Sequence, residues 1–289
     1  MSGPKGIGWT IWALIPVLVL AFHFGPGQDL ERRDLAVRRH RDAIALELQA
    51  SGLQAQAHAS HLAVIEARRR ALLAGVPGGS PELETALERE RLAYELAGTA
   101  WEQVADAYGD VSDLLPEDAD EIPRVRWSKA RAQVRSGEIW AGAGELEALL
   151  QELDATQIGQ GPLIRATREE LAGARYYGAR LMRLAGEPAK EWRAESMRAR
   201  QQYRLLAEQA ASDGSAIEVV RGYEDNVERV IDLEQMDRSE IEGRPLPSES
   251  PRGVRGGRPG NQGRPGVGRP GNRPDSRGAG TGRPIGDGW

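Results

Sequence analysis

The sequence predicts an all-α chain in three parts: one N-terminal transmembrane helix, a body of antiparallel helical hairpins, and a disordered C-terminal tail. Three observations lead there. Residues 28–243 are dominated by Ala, Leu, Glu and Arg, all strong helix formers. The 289 residues include only 2 Phe and 6 Tyr, with no alternating β-branched run, which argues against sheet. Residues 244–289 are mostly Gly, Pro and Arg. The expected domains are therefore 1–27 (anchor), 28–243 (helical body) and 244–289 (tail).

Ile7 to Phe24 contains no charged side chain, with His23 taken as neutral. At about 1.5 Å per residue it is just long enough for a thin hydrocarbon core. Trp9 and Trp12 sit where indoles favour an interface, and Leu14, Val17, Leu20 and Phe24 supply apolar bulk. Pro16 is tolerated in a membrane helix, and Gly25-Pro26-Gly27 ends it. The alternatives are a cleaved signal, although no small-x-small motif follows, and a buried helix. These features predict single-pass membrane localisation, with the bilayer as a partner through residues 7–24. Lys5 favours an N-inside start, whereas Arg32, Arg33, Arg38, Arg39 and Arg41 favour the opposite; the balance leans to an extracytoplasmic body.

In the body, the first helix is expected over 29–74. Leu30, Val37, Ile44, Ser51, His58, Ile65 and Leu72 recur every seven residues, with Leu48, Ala55 and Leu62 at a four-residue offset. Asp34, Arg41 and Arg69 interrupt this seam. It reads either as a helix packed on its neighbours or as a self-associating coiled coil, hence a candidate homo-oligomer. Ser80 and Pro81 form a helix start. The second helix, 81–108, carries Leu83, Leu87, Tyr94, Ala97, Trp101, Val104 and Tyr108 as a stripe, widened by Leu92, Leu96 and Ala100. Gly109 to Pro123 reads as a helix end and a loop. The last helix is expected over 215–241, on Ile217, Val220, Tyr223, Val227, Val230 and Leu233.

Between these, Trp127, Ala130 and Gly137, then Gly142, Leu146 and Leu149, fall at the spacing of two paired helices. Tyr176 and Ala179, the turn Gly186-Glu187-Pro188, and Trp192, Met197, Tyr203 and Leu206 form a second pair. Residues 124–208 thus resemble the tetratricopeptide (TPR) repeat family. The family's mid-helix Tyr is missing, with Gln133 nearby, and Glu195 occupies a place normally large and apolar. The resemblance implies a stacked solenoid whose first helices line a partner groove, here Trp127, Arg131, Gln133, Val134, Arg175 and Arg180. In layout the chain is similar to membrane-bound tetratricopeptide proteins of bacterial envelope complexes.

Nothing points to catalysis or a cofactor. Cys is absent, so no thiolate site exists. His58 and His61 share a helix face without further metal ligands, and Glu84, Glu88 and Arg89 read as a solvated face. No nucleophile elbow, phosphate loop or dinucleotide fingerprint is present. Gly142-Ala143-Gly144 reads as a close-packing site.

The net charge is -5, yet residues 251–289 hold eight Arg against Asp275 and Asp287. Its Gly-Arg-Pro repeats cannot bury enough apolar area to offset ordering. Arg252, Arg255, Arg258, Arg264, Arg269 and Arg273 are its candidate anion contacts. The tail has no aromatic for base stacking except Trp289, which disfavours nucleic acid as the partner. The expected function is a non-catalytic, membrane-anchored protein-interaction scaffold. The alternatives are a coiled-coil spacer self-associating through 29–74, or a tether whose basic tail takes anionic partners or nucleic acid.

Overall fold

The computed structural model describes residues 26–254 apart from 77–79, 117 and 157–160, together with Leu14, Pro16 and Leu20. Contacts group the chain into two units, Met1–Gly256 and Gly257–Trp289; every described residue lies in the first. The fold is all-α, with no strand among the described residues. Its helices are α1 (Pro26–Leu73), α2 (Pro81–Leu114), α3 (Ile122–Ser136), α4 (Ile139–Thr156), α5 (Gly161–Leu184), α6 (Ala189–Ser212), α7 (Ile217–Gln235) and α8 (Arg238–Gly243). Up to α7, each packs on its neighbours in sequence, and α3 also touches α5 across α4. Arg70–Glu82, His61–Glu90 and Glu47–Tyr108 step along α1 and α2 in opposite directions, so the pair is antiparallel. Arg175–Glu195 and Arg168–Gln209 do the same for α5 and α6. This multi-helix body is compatible with a helical-repeat fold.

Every seventh residue of α1 from Ala36 is buried: Ala36, Ala43, Ala50, Ala57, Val64 and Ala71. Two series on α2 meet them, Leu83, Glu90, Ala97, Val104 and Val111, and Tyr94, Trp101 and Tyr108. The seam is small against large, because the α2 rings fill the space between the axes and leave α1 room only for methyl groups. The expected seam on Leu30 to Leu72 has the right period and the wrong phase. It lies one residue on, about 100° around the helix, and Leu30, Val37, Ile44 and Leu72 are exposed.

Helix ends follow local chemistry. Ser80 caps α2 by accepting the Leu83 amide at 3.1 Å, with Pro81 in the first turn, as the sequence suggests. Gly137 (φ 102°) and Gly186 (φ 78°) end α3 and α5 in the left-handed region, where a side chain would be strained. After Gly186, the Glu187 amide returns to the Met182 carbonyl at 3.0 Å. Several boundaries differ from expectation. α1 already includes Pro26 and Gly27, expected to end a preceding helix. α2 runs through Gly109 to Leu114 because Val111 is still in the core. α5, which carries Tyr176 and Ala179, starts as early as Gly161. The last helix is broken into α7 and α8 at Met236–Asp237, where Arg183 donates to the Leu233 and Met236 carbonyls and stacks on Trp192 at 4.5 Å.

The single-pass membrane assignment is corrected. Among the described residues no helix is long and apolar enough to cross a membrane. Even α4, the most apolar helix with a described interior, carries Glu145, Glu147, Glu152 and Asp154. Of the expected anchor residues, Leu14 and Leu20 are helical and exposed, while Trp9, Trp12, Val17 and Phe24 lie outside the described residues. The bilayer partnership and the choice of membrane face depended on that assignment.

Candidate functional site

The site is built where α1, α2, α3, α5 and α7 meet a non-helical segment, residues 244–254. This segment was expected to belong to the disordered tail; instead Leu246, Ser250 and Pro251 are buried in the body. Pro245, Pro247 and Pro251 prevent helix continuation, so its main-chain groups need partners from elsewhere. Arg180 supplies two, donating to the carbonyls of Arg244 (2.8 Å) and Pro245 (3.0 Å), and also donates to the carbonyl of Ile241 in α8 (3.1 Å). Gln54 donates to the Ser248 and Ser250 carbonyls at 3.0 and 3.1 Å. The Leu246 amide donates to His61 Nε2 at 3.0 Å. That leaves Nδ1 to carry the proton facing Glu90 Oε1, 2.6 Å away.

Side chains fix the register of the segment. Leu246 sits among Ala57, Tyr94 and Ala97. Glu249 pairs with Arg135 at 3.1 Å, Arg252 with buried Glu90 at 3.1 Å, and Arg244 with Asp232 at 2.8 Å. Both nitrogens of His61 are thus committed, and His58 falls below its usual pKa through burial first and the nearby His61 second. Beside the segment, a cleft of about 270 Å³ between Arg180, Tyr176 and α7 is smaller than ordinary small-molecule pockets.

The expected groove residues separate into two groups. Arg180 grips the segment. Arg131 stacks on Trp127 at 4.2 Å and pairs with Glu47. Trp127 and Gln133 are half-buried, and Trp127 Nε1 and Gln133 Oε1 are buried without a hydrogen-bond partner. Val134 instead lies in the core against α4, with Ile139, Trp140 and Leu146. Arg175 is buried between Glu147 of α4 (3.0 Å) and Glu195 of α6 (3.5 Å). That ion pair explains a carboxylate at the apolar repeat position, since Glu195 also accepts from Arg198. Of the tail arginines, Arg252 is held by Glu90, while Arg255, Arg258, Arg264, Arg269 and Arg273 lie outside the described residues. Sequence reasoning missed Gln54, His61, Glu90 and Arg135 as segment-binding residues; only the pairing of buried-type positions with polar side chains hinted at them.

Glu170, 3.9 Å from the Arg135 guanidinium that also holds the segment's Glu249, has its pKa pushed up to about 7. Burial is the main cause, opposed by Arg135 and Arg131 and reinforced by Glu249 and Glu169. The folded chain keeps this proton to near pH 7, whereas the unfolded chain releases it near 4.5. The folded state therefore binds more protons in that window, and stability falls as pH rises through it. Glu170→Gln should flatten this decline and raise stability at pH 8 by on the order of 1–3 kcal/mol, with little change at pH 4. Urea midpoints at the two pH values check this; an unchanged pH slope would remove Glu170 as its source.

No family model, curated protein or solved structure matches the chain. The functional reading therefore rests on the geometry.

Proposed function

We propose that this chain is a non-catalytic protein-interaction scaffold whose tetratricopeptide-like helical surface takes a non-helical segment of a partner protein. One observation carries the reading: residues 244–252 already lie on that surface as a non-helical stretch, turned at Pro247–Ser250 and gripped through its main chain by Arg180, Gln54 and His61. Main-chain recognition with one apolar anchor and flanking ion pairs is a common way to bind extended peptides. In this reading α3 and α5 are the first helices of two repeat pairs, and the chain's own segment is a ligand in cis.

The test uses the full chain with Leu246→Asp, which releases the segment, and a fluorescent peptide of sequence 243–254. Anisotropy should report binding that the unsubstituted chain resists, because a tethered segment competes at an effective concentration near millimolar. Adding Arg180→Ala should weaken the peptide by at least about tenfold. A Leu246→Asp chain that keeps its helicity yet ignores excess peptide would sink the proposal.

A further inference from the structure

A second surface, separate from the peptide site, lies on the outer side of α1. Its small seam is spent on α2, yet the helix carries a second heptad series, Leu30 to Leu72, that its own fold leaves largely uncovered, with Ser51 and His58 as its polar members and His58 and Ile65 half-buried. Leu30 is 57% exposed, Ile44 51%, Leu48 77% and Leu72 67%. The series spans Leu30 to Leu72, more than the three to four heptads a coiled coil requires. A monomer gains nothing from a second seven-residue apolar period about 100° away from the first. Gly52, on the outer face between Leu48 and Ala55, adds an independent sign. Nothing lies within 4 Å of where its Cβ would be, so this fold does not require glycine there. A mid-helix glycine nevertheless costs about 1 kcal/mol against alanine. Gly144 and Gly222 are equally uncrowded, so Gly52 counts here through its place on the Leu48–Ala55 face, where it permits close approach of another backbone.

We propose that this face binds the same face of a second copy, with the two α1 helices antiparallel and crossing near Gly52. The charges that interrupt the seam select both the occupant and the direction. A parallel, in-register pair would set Asp34 on Asp34, Arg41 on Arg41 and Arg69 on Arg69. An antiparallel pair centred at Gly52 sets Asp34 of one copy beside Arg69 of the other, and Arg38 beside Glu66. Two-fold symmetry repeats both pairs at the opposite end. In the single chain Asp34 pairs with Arg38 at the surface (2.7 Å), and Glu66 pairs with both Arg69 (2.9 Å) and Arg70 (3.3 Å), so these exposed charges can be shared across the interface. Leu48 then meets Ala55 or Ser51 of the other copy, large on small, as in the α1–α2 seam.

Sedimentation equilibrium of the full chain is the test. The expected result is a reversible dimer. Leu48→Asp, at a position facing away from the chain's own core, should raise the dimer dissociation constant more than about 100-fold while helicity is retained. Leu62→Asp is the second probe of the same face. Asp34→Arg should weaken the dimer, and Asp34→Arg combined with Arg69→Asp should restore it. A concentration-independent monomer overturns the proposal, as does a dimer indifferent to both Leu48→Asp and Leu62→Asp. Failure of the charge swap to restore the dimer overturns the antiparallel register. Peptide binding by the Leu246→Asp chain is read separately, so neither result decides the other.

Discussion

Replacing Trp101 with alanine is expected to lower the unfolding free energy by about 3–5 kcal/mol. The indole is 1% exposed and lies where α1, α2 and α3 meet, with Ala43, Ala50, Val104, Tyr108, Val125 and Ala132 around it. The facing side chains on α1 are alanines, which have no rotamer with which to reach into the vacated space. The cavity should stay open, placing the loss toward the upper end of that range. Arg135 stacks on the ring at 5.0 Å and also holds Glu249, so the variant should loosen the C-terminal segment as well. Urea unfolding followed by circular dichroism measures the first effect. A loss under about 1 kcal/mol would mean that the hairpin is not packed around this ring.

Gly142→Ala should destabilise by about 2–3 kcal/mol although alanine is the better helix former by about 1 kcal/mol. The added Cβ would stand 2.5 Å from the Ala130 carbonyl oxygen and 2.7 Å from Val134 Cγ2. The first is main chain and cannot rotate aside, so α4 must move off α3. Two residues on, Gly144 has nothing within 4 Å, and Gly144→Ala should stabilise by about 0.5–1 kcal/mol. Opposite signs at two glycines two residues apart test the α3–α4 contact better than either alone. Equal signs in thermal unfolding would show that the helices are not in contact at Gly142.

Helical content, the Ser80 start, the glycine stops and the turn at Gly186 were all legible, because each depends on a few neighbouring residues. The phase of α1 was not. Two series share its period of seven, and the eye takes the one with leucines and isoleucines. Which one is buried is decided by the partner: Tyr94, Trp101 and Tyr108 are large, so α1 must be small there. Composition likewise hid the ordered segment. Pro245, Pro247, Ser248 and Pro251 read as low complexity, and their receptors lie up to 196 residues earlier. Arg180, one of the expected groove residues, holds the C-terminal segment, whereas Val134 and Arg175 are buried between neighbouring helices. A fraction of a turn about the helix axis separates these positions, and the sequence pattern does not resolve it.

The bond between His61 and Leu246 joins positions 185 residues apart. At synthesis rates of about 5–20 residues per second, the two are made on the order of 10–40 s apart. Through that interval the nascent chain has its receptor half-formed and vacant, with buried-type polar groups open to water. If the surface takes partner peptides as proposed, the newly made protein is most receptive before its own C-terminal stretch arrives, and a partner synthesised nearby would have first claim on it.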